Sequence, residues 1–227
     1  MADVISITLL TLQVSGSSTL LASLIGIPLG ARLGLQRSKR RLPFLVFTHA
    51  FYGMPPVIMG LVVYLLLSKA GPLGDLGLLF TPVAMVIAQT SLLLPIVVGF
   101  TASAVASVPP EAAETARALG AGEREAVRAV LREARPQLAH AVLVAFGRAV
   151  SEVGAVIIVG GNIADRTRVL TTAIVLETEA GNFQFALTLG GILLALALAV
   201  SALMTRFQED AHEVGGLLRR GRREGRG

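Results

Sequence analysis

The chain has 227 residues, 53% of them hydrophobic and 15% charged, with a formal net charge of +5; a soluble domain carries about a quarter charged residues. Residues 4–31, 42–68, 76–110 and 182–205 hold no charge, and 136–164 hold only Arg148 and Glu152. Each run exceeds the roughly 20 apolar residues that carry a helix across the hydrocarbon core, which excludes a soluble enzyme or binding module and predicts an all-α membrane protein with about five transmembrane helices.

The first span covers about 5–31. It lacks a basic n-region, Asp3 is its only early charge, and it is too long for the apolar part of a cleavable signal. Ser18, Ala22, Gly26, Gly30 and Gly34 recur every four residues. That spacing lines small residues along one helical face, where a second backbone can come close. A basic loop follows, with Arg32, Arg37, Lys39, Arg40 and Arg41. The second span contains "GMPPV" at 53–57, and paired prolines there predict a bend or break. The turn-rich stretch 68–82 predicts an external loop, and span three follows over about 83–107 with a kink at Pro95.

The next segment, 111–136, reads "EAAETARALGAGEREAVRAVLREARP" and holds five acidic and five basic residues. Pro109 and Pro110 close span three. Ala112, Ala113, Ala116 and Leu119 then recur at helical spacing, and Gly120 can end this helix in the left-handed conformation. A second helix starts at Glu123, with Val127, Val130, Leu131 and Ala134 as its apolar face, acidic residues leading and arginines closing. Two short amphipathic helices joined at a glycine can lie on a lipid surface or dock in a groove of a cytoplasmic partner. The small residues Ala112, Ala113 and Ala116 favour docking, because they bury little area in lipid but permit close protein contact.

Span four covers about 138–160. Within it Arg148 and Glu152 stand one helical turn apart and can pair. Ionisable groups at membrane depth face the protein interior or a water-filled path, so the pair is either part of a translocation pathway or gate, or a structural ion pair. An external segment follows. In it Asn162 can hydrogen-bond at a pore mouth or cap a turn, and Arg166 and Arg168 can draw an anion inward or form a solvated docking surface. The inner part, 169–176, is apolar enough to dip into the membrane. Span five covers about 183–205, and 207–227 form a charged, partly disordered tail.

The basicity follows from this topology. Five spans put the loop 32–41, the insert and the arginines from Arg206 to Arg226 on one side, leaving only Lys69, Arg166 and Arg168 on the other. The positive-inside rule then places the C-terminus in the cytoplasm and the N-terminus outside, with no need for nucleic acid as a partner. Cysteine is absent, and His49, His140 and His212 lack ligand-like spacing, so no metal centre is expected.

The insert resembles the EAA loop, the coupling-helix region of importer permeases of the ATP-binding-cassette superfamily. In the family register the matching residues are Glu114, Ala116 and Gly120, rather than the literal "EAA" at 111–113. The family's proline falls thirteen residues after the glycine, where this chain has Glu133; Pro136 comes three residues later. "GMPPVIMGLVVYLLLSKAGPLG", "LGLLFTPVAMVIAQ", "FGRAVSEVGAVIIVGGNI" and "TRVLTTAIVLET" together resemble the tungstate branch of the molybdate/sulfate-type permeases.

The resemblance implies a type I importer permease that moves an oxyanion by alternating access, with tungstate as the expected cargo and molybdate or sulfate as alternatives. It implies residues 1–206 as the permease domain, a coupling loop at about 108–137, and a location in the inner membrane. Its partners would be a second copy of the chain, an extracytoplasmic oxyanion-binding protein, surrounding lipid and an ATPase that holds ATP and Mg. Glu114, Ala116, Arg117, Leu119 and Gly120 would couple to that ATPase. The chain has no Walker A motif and is not expected to be an enzyme. The rival of a different class is a secondary transporter or channel working without ATP, which would show repeat symmetry or more intramembrane charge.

Overall fold

The computed structural model describes the backbone of residues 2–36, 46, 48 and 50–224, and side chains within 4–36, 46, 48, 50–203 and 206. Regular structure among these residues is entirely helical. In chain order it comprises α1 (Ala2–Leu35), α2 (Pro56–Leu67), a 3-10 turn (Gly74–Leu76), α3 (Pro82–Ser107), α4 (Glu111–Ala118) and α5 (Glu123–Glu133), then α6 (Arg135–Val150), α7 (Gly154–Gly160), α8 (Leu170–Glu179) and α9 (Phe183–Glu224).

The framework is the pair α1 and α3, packed side by side along most of their length. The small-residue stripe makes this contact. Ser18 and Ala22 are fully buried. A Cβ at Gly26 would lie 2.8 Å from Val97 Cγ1, one at Gly30 2.5 Å from the Val98 carbonyl oxygen, and one at Gly34 2.7 Å from the Ala102 carbonyl oxygen. In lipid, apolar burial adds little to helix association, so close backbone approach and van der Waals contact do the work. A second close crossing joins α2 to α7, where a Cβ at Gly60 would lie 2.7 Å from Ala155 Cα. Around it Val63, Met85, Ala88, Val156 and Val159 form the largest apolar cluster.

Among the described residues three helices are each long and apolar enough to cross a membrane: 4–35 in α1, α3, and 183–203 in α9. Span four differs from its expected form. Instead of one helix over 138–160, α6 and α7 meet at a break with a 58° bend. The second span is interrupted at Gly53–Pro55, as the prolines predict, and its helix α2 has 12 residues. At 1.5 Å per residue that is about 18 Å, short of a crossing by itself. The first part of that span, and Arg37, Lys39, Arg40 and Arg41, lie outside the described residues. Pro95 sits inside an unbroken α3. Helix α3 starts where the sequence says it should: Pro82 occupies its first turn and Thr81 Oγ1 accepts from the Ala84 N–H at 3.4 Å.

The apolar stretch 169–176 leads into and begins α8, whose first turn is buried within the protein. Leu170, Thr171, Thr172 and Ala173 are all enclosed, with Leu170 and Ala173 packed on Ile7 of α1 and Leu189 of α9. Helix α9 continues through Glu224, so the backbone of 207–224 is helical.

Candidate functional site

The charged insert folds as the two helices its sequence predicts. Val108 takes an extended conformation because the following proline disfavours a helical one, and this ends α3. Helix α4 closes in a Schellman motif: the Ala121 N–H donates to Ala116 O at 3.0 Å and the Gly120 N–H to Arg117 O at 3.0 Å. Gly120 has φ +88°, where a side chain would be strained. Helix α5 opens with the Glu125 carboxylate accepting from the Gly122 N–H at 2.9 Å. The Arg117 guanidinium bridges the turn to Glu123, with both carboxylate oxygens 2.9 Å from Nη2. Glu123 was not among the residues singled out by sequence; an acidic residue six positions after Arg117 and across a glycine turn is the signal that could have found it.

The two helices are held unequally. Helix α5 is anchored, because Ala126, Val130 and Ala134 are buried and the last two pack on Ala31 of α1 and Val105 of α3. Helix α4 covers one side of a cavity of about 690 Å³ lined by Gly34, Val105, Pro109, Glu114, Arg117 and Val127. Ala112, Ala113 and Ala116 are half-buried on its inner side. Glu114 and Arg117 are exposed at the rim of this cavity, and Leu119 is 84% exposed at the tip of the helix.

The break in span four holds the second cluster. Arg148 Nη1 lies 2.7 Å from Glu152 Oε2, so the predicted pair forms, but Glu152 sits beyond the end of α6 in the break itself. Its side chain is 2% exposed and that of Arg148 38%. The second carboxylate oxygen accepts from the Ala155 N–H at 3.0 Å, and the Glu152 carbonyl accepts from Thr171 Oγ1 at 2.7 Å. One residue thus joins α6, α7 and α8. A buried carboxylate with a guanidinium partner and a backbone donor is satisfied, which is what permits it at this depth. The other side of the break is tied by Gln89, whose amide nitrogen donates to Ala149 O at 3.0 Å. Gln89 went unremarked in the sequence, although a lone amide inside an apolar run of 35 residues is a signal.

The third cluster closes the opposite end of α7. Asn162 has φ +50° and its amide nitrogen donates to Thr172 O at 3.2 Å, so its side chain braces a turn against α8. Arg168 folds back, with Nη2 3.5 Å from Asn162 O, while Arg166 is exposed. The two arginines are therefore separated in role: one packs, one faces outward. Among the described residues no group of three His, Asp or Glu side chains could hold a metal.

The chain belongs to the family of binding-protein-dependent transport system inner membrane components, whose model matches residues 26–211. It is 43% identical to the "Probable anion ABC transporter permease protein" of Haloferax volcanii, covering 90% of each chain. It is 39% identical to the tungstate uptake system permease protein TupB of Peptoclostridium acidaminophilum, covering 92% of this chain and 91% of that one. Permeases named for molybdenum and sulfate match at lower identity. The MetNI methionine ABC transporter in inward-facing form shares the fold, with a TM-score of 0.72 at 19% identity over 93% of this chain and 97% of that one. The chain is thus a multi-pass inner-membrane permease component, not an enzyme, and its family works with a binding protein and a separate ATPase.

Proposed function

We propose that this chain is the permease of an ATP-driven oxyanion importer with tungstate as its cargo. The observation that carries the reading is the projecting pair α4 and α5, anchored through α5 and exposing Glu114 and Leu119 on α4. Such a pair can receive a push from a partner's groove and pass it to the ends of α1 and α3. Glu114, Ala116, Arg117, Leu119 and Gly120 make the ATPase socket, and ATP and Mg reside on that partner. The names of the similar tungstate permeases support the cargo.

Two copies of the chain enclose the pathway, and the many exposed apolar side chains of α1, α2 and α9 face the second copy or lipid. The distribution of arginine and lysine supports a cytoplasmic C-terminus and socket, and an N-terminus outside. Arg148, with its half-exposed guanidinium held by buried Glu152, meets the anion along the pathway. Asn162 shapes the outer mouth, and Arg166 attracts the anion or seats the binding protein.

Elemental mass spectrometry of cells given tungstate, molybdate and sulfate together tests this reading. Deleting this chain alone should abolish tungstate entry, and so should depleting ATP. Loss of molybdate or sulfate entry instead would keep the mechanism and reassign the cargo. Unchanged entry of all three would overturn the proposal.

A further inference from the structure

We infer that Gln89 is a positioning residue for the bend in span four, tying the movement of α1 and α3 to the break at residues 151–153; this deepens the permease reading and rests on it. In an unbroken helix the Ala149 carbonyl would accept from the N–H four residues on. The break removes that donor. What remains is the Glu152 N–H at 3.2 Å, three residues on, and the Gln89 amide at 3.0 Å. Because Ala149 offers only an acceptor, the Gln89 nitrogen must face it, and the amide oxygen then turns to α1. There it lies 2.8 Å from Ser18 Oγ, whose single proton is shared between this oxygen and the Val14 carbonyl, also at 2.8 Å. Gln89 is 3% exposed and Ser18 fully buried. One side chain therefore links three spans at the pivot of the bent one.

The site is closely packed as well as polar. Between Gln89 and Glu152, among Thr11, Ser15 and Thr171, the packing leaves no volume that a water molecule can occupy. A bond left unmade in such surroundings carries its full desolvation penalty. A change of bend must therefore either carry Ser18 and Gln89 with it or break their bonds. The apolar contacts of α1 and α3 reach the side chains of Ala145 and Ala149; the Gln89 amide adds a directional bond to the Ala149 carbonyl.

The test uses the full permease in liposomes with its ATPase and binding protein, fed tungstate and ATP. Gln89→Met keeps the volume and removes both bonds; Ser18→Ala removes only the tie to α1. We expect ATP consumed per anion transported to rise about tenfold in Gln89→Met and about threefold in Ser18→Ala, as the loss of one or two modest hydrogen bonds at the pivot implies. Melting temperatures should stay close to that of the unmodified assembly. An unchanged ratio in Ser18→Ala, or a ratio that rises only as the melting temperature falls, overturns the inference, and Ser18→Ala decides it alone if Gln89→Met does not fold. Failure of the unmodified assembly to couple ATP to tungstate, molybdate or sulfate uptake would instead sink the permease reading, and the inference with it.

Discussion

Arg117–Glu123 in the projecting helix pair and Arg148–Glu152 in the broken span are the same chemistry in two media. The first pair has side chains 49% and 73% exposed, the second 38% and 2%. At the surface, water screens both charges and the pair contributes between nothing and about 1 kcal/mol. In the break, Glu152 is cut off from water, and it is tolerated because its oxygens already have partners. The difference teaches what each region is for. On the proposed reading the insert is re-engaged by the ATPase, and its bonds are shallow and replaceable. The break is built to hold one bend, so its bonds are buried and shared among three helices.

Removing Glu152 should produce the largest effect. Glu152→Ala strands Arg148 and the Ala155 N–H together, and should cost about 3 kcal/mol, read as a fall in the melting temperature of the purified permease. Glu152→Gln should lose less, because its amide oxygen can still accept from Ala155. An equal loss in both variants would show that the charge, not the cap, sets the bend. Next comes the α1–α3 crossing. Gly30→Leu drives a side chain into the Val98 carbonyl and Thr101, and should cost about 2 kcal/mol of stability by the same measurement. If it melts like the unmodified protein, the two helices do not touch there in the membrane.

Gly120→Ala acts on the insert alone. The left-handed turn becomes strained by about 1 kcal/mol, so ATPase binding should weaken about fivefold while global melting holds. Arg117→Ala should be smallest, changing stability by less than about 1 kcal/mol, with even that difference vanishing in high salt. A loss comparable to Glu152→Ala would erase the contrast between the two regions.

The sequence made some of this legible and not the rest, for physical reasons. Periodicity found the stripe on α1 and both helices of the insert, because each follows one helical repeat. Gly120 marked a helix end through its own backbone limits. The break after Val150 was not legible. No proline stands there, and the groups bonded at it, Gln89 of α3 and Thr171 of α8, are brought to it by packing. Arg148 and Glu152 were visible as a pair, but burial of one and not the other is a property of the packing. Ala126 also went unnoticed, since alanine carries no mark of being buried.

The account's central claim is that the α4–α5 pair is the ATPase socket of an ATP-driven oxyanion importer. It is tested most directly by tungstate uptake into liposomes holding this permease, its ATPase and its binding protein, comparing the unmodified chain with Leu119→Asp. The account predicts uptake that requires ATP and all three components, and a Leu119→Asp permease that melts normally, fails to retain the ATPase and transports nothing. Tungstate entry without ATP, or entry undiminished by Leu119→Asp, would contradict it.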